Sequence, residues 1–153
     1  TLPDNPQQEK SGGYDFLSPG RTVYRVNPRG IEITPDGNYL VAQSGDILRL
    51  SKNPQADLSL VGKIEPHTAS ALSNSLIVIA TGKNTLRLHT LPALKQIHSL
   101  PIQATVCKML FDSKTKILYA AAQTTSANTG QQPVTNNILT FDLTPFLGGV
   151  NEK

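Results

Sequence analysis

The stretch Gly30-Ile31-Glu32-Ile33-Thr34-Pro35-Asp36-Gly37-Asn38-Tyr39-Leu40-Val41-Ala42 decides how this chain is read. Ile31 and Ile33 alternate with Glu32, the pattern of a half-buried strand. Pro35 presets φ and Gly37 accepts a positive φ, so Pro35 to Asn38 is a turn, and Tyr39 to Ala42 runs back as a second strand. A further turn at Gly45-Asp46 leads into Ile47-Leu48-Arg49-Leu50, and after Pro54 the run Leu58 to Ile64 supplies a fourth strand. The phrase returns as Ser70 to Ala80, then Thr85-Leu86-Arg87-Leu88, then Leu94 to Leu100. It returns again as Cys107 to Ala121, ending in Ile138-Leu139-Thr140-Phe141 after a long polar insertion, Thr124 to Asn137, which is expected to form a mobile loop.

A repeat of about 40 residues made of four short strands is the pattern of a β-propeller blade. The fold class expected is therefore all-β and β-propeller-like, with about three four-stranded blades in residues 21–146. Residues 1–20 read as a flexible lead-in and 147–153 as a C-terminal tail, with Thr144 to Leu147 the best helical-turn signal. Three blades are fewer than the roughly 4–8 that close a ring, so the chain is a partial propeller or half-ring. The third unit lacks an outer strand, whereas Thr22 to Val26 is an outer-type strand with no blade before it. Three readings follow: further blades of a partner or parent chain, a homodimer forming a six-bladed ring, or an open or different β fold.

The run Ile33 to Ala42 resembles the Ser-Pro-Asp-Gly turn common to WD40-like and lactonase-type propellers, although the Gly-His and Trp-Asp signatures of true WD repeats are absent. Asn74-Ser75 and Asp112-Ser113-Lys114 are degenerate versions of the same turn. The resemblance implies a protein- or peptide-binding scaffold or, alternatively, part of a lactonase- or hydrolase-type enzyme with an axial site. Such folds carry unrelated functions, so the residues must discriminate.

Composition narrows the choice little. The chain has 153 residues, 38% hydrophobic and 16% charged, with a net charge of +3 and no basic cluster of the kind that binds nucleic acid. No apolar run approaches the roughly 20 residues of a membrane-spanning helix, so no membrane insertion is expected. The single Cys107 forms no internal disulfide, which slightly favours the cytoplasm, with a processed envelope or secreted form the alternative. The first residue, Thr1, is compatible with processing or excision from a longer protein.

No nucleophile elbow, phosphate loop, calcium loop or metal-ligand spacing occurs, and no cofactor is expected. Cys107 reads as a small buried hydrophobe, and His89 and His98 as surface or interfacial histidines on half-exposed strands. Asp36, Asp46 and Asp112 read as turn caps. Four residues stand out for binding. Arg49 and Arg87 occupy equivalent Leu-Arg-Leu positions, suited to pairing with a carboxylate of the adjacent blade. Glu65 and His67 flank Pro66 at a blade-to-blade connection, where axial sites form, with Glu32 the other nearby carboxylate.

Overall fold

A computed structural model describes residues 14–18, 21–26, 30–53, 58–82, 84–125 and 134–148, with side chains from Gly30 onward. Among these residues thirteen strands and one 3-10 turn follow in chain order. Strands β1 (Tyr14–Ser18) and β2 (Arg21–Val26) form a two-stranded antiparallel sheet. The first blade holds β3 (Ile31–Ile33), β4 (Tyr39–Ala42), β5 (Asp46–Arg49) and β6 (Ser59–Lys63) in sequential order. The second holds β7 (Ala69–Leu72), β8 (Leu76–Thr81), β9 (Thr85–Thr90) and β10 (Gln96–Pro101). The third has three strands, β11 (Thr105–Asp112), β12 (Ile117–Thr125) and β13 (Val134–Asp142), followed by the 3-10 turn Thr144–Phe146. The first strands of the three blades, β3, β7 and β11, lie side by side.

Local chemistry sets the hairpins. Asp36 accepts from Thr34 Oγ1 at 2.6 Å and from the Asn38 N–H at 3.1 Å, while Gly37 sits at φ 72°. Asp112 caps the matching turn of the third blade through the Lys114 N–H at 2.9 Å. Asp46 instead pairs with Lys63 Nζ at 2.8 Å and accepts from Ser44 Oγ at 2.8 Å. Gly45, at φ 93°, lies so close to the next connection that a Cβ there would fall 2.1 Å from the Ile64 carbonyl oxygen.

The core sits between blades. All six residues of β8 are buried, and the five apolar ones, Leu76 to Ala80, alternate between two clusters. Ile77 and Ile79 join Val41, Ile47 and Leu91. Leu76, Val78 and Ala80 join Leu86 and Leu88 with Met109, Phe111, Leu118 and Ala120 of the third blade. A strand apolar over five consecutive positions is stable only where both faces of its sheet are covered. Each fully buried aliphatic side chain contributes about 1.5–3 kcal/mol, so the middle blade anchors its neighbours.

Residues 1–20 read as an extended or flexible lead-in, and within them β1 pairs with β2, giving the outer-type strand a partner within the chain. Three expectations are corrected. The ends of the polar insertion are strand rather than loop: β12 and β13 pair out to Thr124↔Thr135 and Thr125↔Val134, and Asn137 Nδ2 donates to Thr124 Oγ1 at 3.1 Å. Polar and β-branched side chains tolerate a solvated hairpin, so lack of hydrophobicity did not prevent pairing. Cys107 is exposed, because the β11–β12 register slips between Val106 and Lys108 and the bulge turns its thiol out of the core. His89 is buried at 6% exposure instead of lying on a half-exposed face. The remainder of 1–20, the insertion tip 126–133 and the tail from 149 lie outside the described residues.

Candidate functional site

The joint between the first and second blades gathers the polar residues that the core excludes. The connection Ile64-Glu65-Pro66-His67 leaves β6 and enters β7, pinned by Ile64 N donating to Gly45 O at 2.9 Å and His67 N donating to Gln43 O at 3.0 Å. From this connection Glu65 reaches the Arg87 guanidinium on β9 and forms an ion pair. Both side chains are about one-third exposed. Arg87 Nη1 also lies 3.4 Å from Gln96 Oε1 on β10. The pair therefore ties the inter-blade connection to the third strand of the next blade.

His67 and His89 lie in the same joint, both 6% exposed. His67 Nδ1 is 3.3 Å from the Glu65 carbonyl, and His89 Nδ1 is 3.4 Å from the Leu94 carbonyl. Each Nδ1 is thereby suited to carry the proton, and each Nε2 is buried without a hydrogen-bond partner. Burial pushes both pKa values below the ordinary 6.5, outweighing the opposing pull of those carbonyls and of Glu65 on both rings and Glu32 on His67. Both imidazoles are neutral at pH 7. Neither presents an accessible nitrogen to a substrate, and no group of three or more metal-ligating side chains occurs among the described residues.

A second polar group lines the inner strands. Ser70 Oγ on β7 donates to Glu32 Oε2 on β3 at 3.0 Å, and Lys108 Nζ on β11 lies 3.3 Å from Glu32 Oε1. One carboxylate is thus shared by residues of three consecutive blades. Glu32, Ser70 and Lys108 are spaced 38 residues apart along the chain, the period of the repeat, which is the signal that would have found Ser70 and Lys108 in the sequence. Beside them a shallow cavity of about 330 Å³ is lined by Ile33, Leu72, Leu110 and Phe111. Ile33 and Leu110 are exposed at 56% and 67%, so this inner surface mixes an ion pair with open apolar side chains.

Of the four residues singled out from sequence, the structure brings together Glu65, His67 and Arg87. Arg49 stands apart. It is exposed on β5 beside Asp36, Asn38 and Lys52, although it shares the Leu-Arg-Leu pattern with Arg87. His98 stacks on Phe146 with ring centroids 4.1 Å apart, which ties β10 to the 3-10 turn.

The third blade is open on one face. Leu110, Tyr119 and Ile138 are exposed at 67%, 39% and 69%. Next to Ile138 a hollow of about 480 Å³ is lined by Cys107, Ala121, Gln123 and Asn137. The third residue of the second strand is fully buried in the first two blades, as Val41 and Val78, while in the third it is the exposed Tyr119.

No protein-family model matches the sequence, and no curated protein matches it. Solved structures do match the fold. The β-propeller domain of Cps50 (Swd1) from Myceliophteria thermophila is 11% identical with a TM-score of 0.51, the match covering 76% of this chain and 41% of that one. Sqt1 of Saccharomyces cerevisiae is 17% identical with a TM-score of 0.47, over 71% of this chain and 33% of that one. The chain spans less than half the length of either. With its sequential antiparallel sheets and inner strands side by side, the fold is that of a β-propeller, present in the described residues as three blades.

Proposed function

We propose that this chain is a protein-binding scaffold module whose third blade receives a further aliphatic β-sheet. That sheet comes from additional propeller blades of a partner or parent chain, or from a second copy of this chain. The observation that carries the reading is the open face of the third blade, where Leu110, Tyr119 and Ile138 meet solvent around a hollow. Exposed apolar surface of this kind, framed by polar residues, marks interaction sites. The enzyme alternative has less support, because His67 is buried and Glu65 is engaged by Arg87.

Light scattering across a dilution series tests the reading. Without its partner the open face is expected to drive self-association of the 16.5 kDa chain, and Ile138→Asp is expected to return it to monomer with unchanged circular dichroism. If wild type stays monomeric at every concentration and binds no apolar dye, the face is not an interaction surface and the proposal fails.

A further inference from the structure

We infer that the outer edge of β13 is a strand-addition site for an extended segment of another protein, paired antiparallel along Val134–Asp142. This goes beyond the proposed stacking on the blade face, because it concerns the backbone edge of the same sheet, and it stands or falls separately.

The chain's own repeats show what the edge lacks. In the first two blades the third strands, β5 and β9, each carry a fourth antiparallel strand. Among the described residues β13 pairs with β12 alone. The side chains record the difference. Leu86 and Leu88 of β9, opposite Ala80 and Val78, are completely buried. Leu139 and Phe141 of β13, opposite Ala120 and Leu118, belong to the same apolar cluster but are only partly buried. What covers the cluster beside β9 is β10, through Ile97 and Leu100.

The edge is also unprotected. Natural edge strands discourage pairing with prolines, lysines and bulges. Strand β6 pairs with its neighbour through an irregular register and carries Lys63, and β10 has both an irregular register and Pro101. Strand β13 is nine residues long, pairs with β12 without any slip, and has neither proline nor charge before Asp142. About half of its backbone N–H and C=O groups point away from β12, as antiparallel pairing requires. The partner is therefore an extended, charge-poor segment with apolar residues on the face that reaches Leu139 and Phe141, the chemistry that β10 supplies next door. Main-chain hydrogen bonds supply affinity and the alternate side chains specificity.

The probe is a synthetic peptide with the sequence Leu94 to Ile102, which spans β10, added to the full chain and followed by amide hydrogen exchange. The expected result is protection confined to β13, at least tenfold weaker binding of a peptide N-methylated at alternate residues, and binding unchanged within about twofold in Tyr119→Asp. That variant spoils the blade face and, if the stacking proposal is right, abolishes self-association, so the two ideas fail on different readouts. Equal binding by the N-methylated peptide overturns the inference, because side-chain adsorption would then suffice. Absence of protection in β13 at millimolar peptide also overturns it. Concentration-dependent protection of β13 without peptide overturns the choice of occupant, making it a second copy of this chain.

Discussion

Folding lowers the pKa of both His67 and His89. Both are held neutral by burial, and the carboxylates facing them, Glu65 for both and Glu32 for His67, do not offset it. Arg87, packed beside His89, works in the same direction as burial. A histidine whose folded pKa is depressed binds more protons unfolded than folded in the window below 6.5, so stability rises with pH there. Its contribution is complete above the unfolded pKa and is lost as pH falls toward the folded value. The urea midpoint is therefore expected to be flat between pH 8 and 7 and to drop below about pH 6.5, each histidine adding a slope of up to about 1.4 kcal/mol per pH unit. His67→Gln and His89→Gln should each flatten that slope. A midpoint indifferent to pH between 7 and 5 would show that both rings reach solvent. The turn carboxylates act in a separate, more acidic window. Burial of Asp36 opposes ionisation, but the hydrogen bonds from Thr34 and Asn38 prevail, and its pKa lies below the usual 3.8.

At the scale of elements, the blades depend on turns that no other conformation replaces. Gly45 combines a φ of 93° with a backbone approach that leaves no room for a Cβ, since the obstacle is the Ile64 carbonyl oxygen and not a side chain able to swing away. Gly45 N donates to Ala42 O and Gly45 O accepts from Ile64 N, so this one residue closes the β4–β5 turn and docks the inter-blade connection. Gly45→Ala is expected to cost about 2–3 kcal/mol by thermal or urea unfolding, more than the 1 kcal/mol or so of backbone preference alone. Gly37→Ala is the control, because nothing lies within 4 Å of its missing Cβ and only the positive φ is strained. Equal costs at the two positions would mean that the connection yields to the methyl group. The β11–β12 hairpin shows the opposite behaviour. Its register absorbs an extra residue at Cys107, which a solvated bulge accommodates and a doubly covered strand such as β8 would not.

For the whole molecule, the order of the blades sets an order of protection. The middle blade is covered on both faces, the first is joined to it through Val41 and Ile47, and among the described residues the third exposes Leu110, Tyr119 and Ile138 on one face and pairs β13 with β12 alone. Native-state hydrogen exchange is expected to be slowest in β8 and β9 and at least tenfold faster in β13, since local opening follows coverage of the sheet. Uniform protection across the three blades would indicate that the chain opens only as a unit.

Much of this was legible in the residues. Alternation in Ile31 to Ile33, the turn at Pro35 to Asn38 and the return of both about 38 residues later sufficed for strands, hairpins and three blades, because strand faces and turn conformations depend on side chains adjacent in sequence. That the third blade holds three strands among the described residues agrees with the same reading. Contacts between blades were not, because they depend on how sheets stack and on where register slips. Equivalent arginines parted on that account: Arg87 meets the connection carrying Glu65, while Arg49 faces solvent. The burial of His89, the exposure of Cys107 and the sharing of Glu32 by Ser70 and Lys108 were likewise decided by packing between residues distant in sequence, which only the tertiary structure brings together.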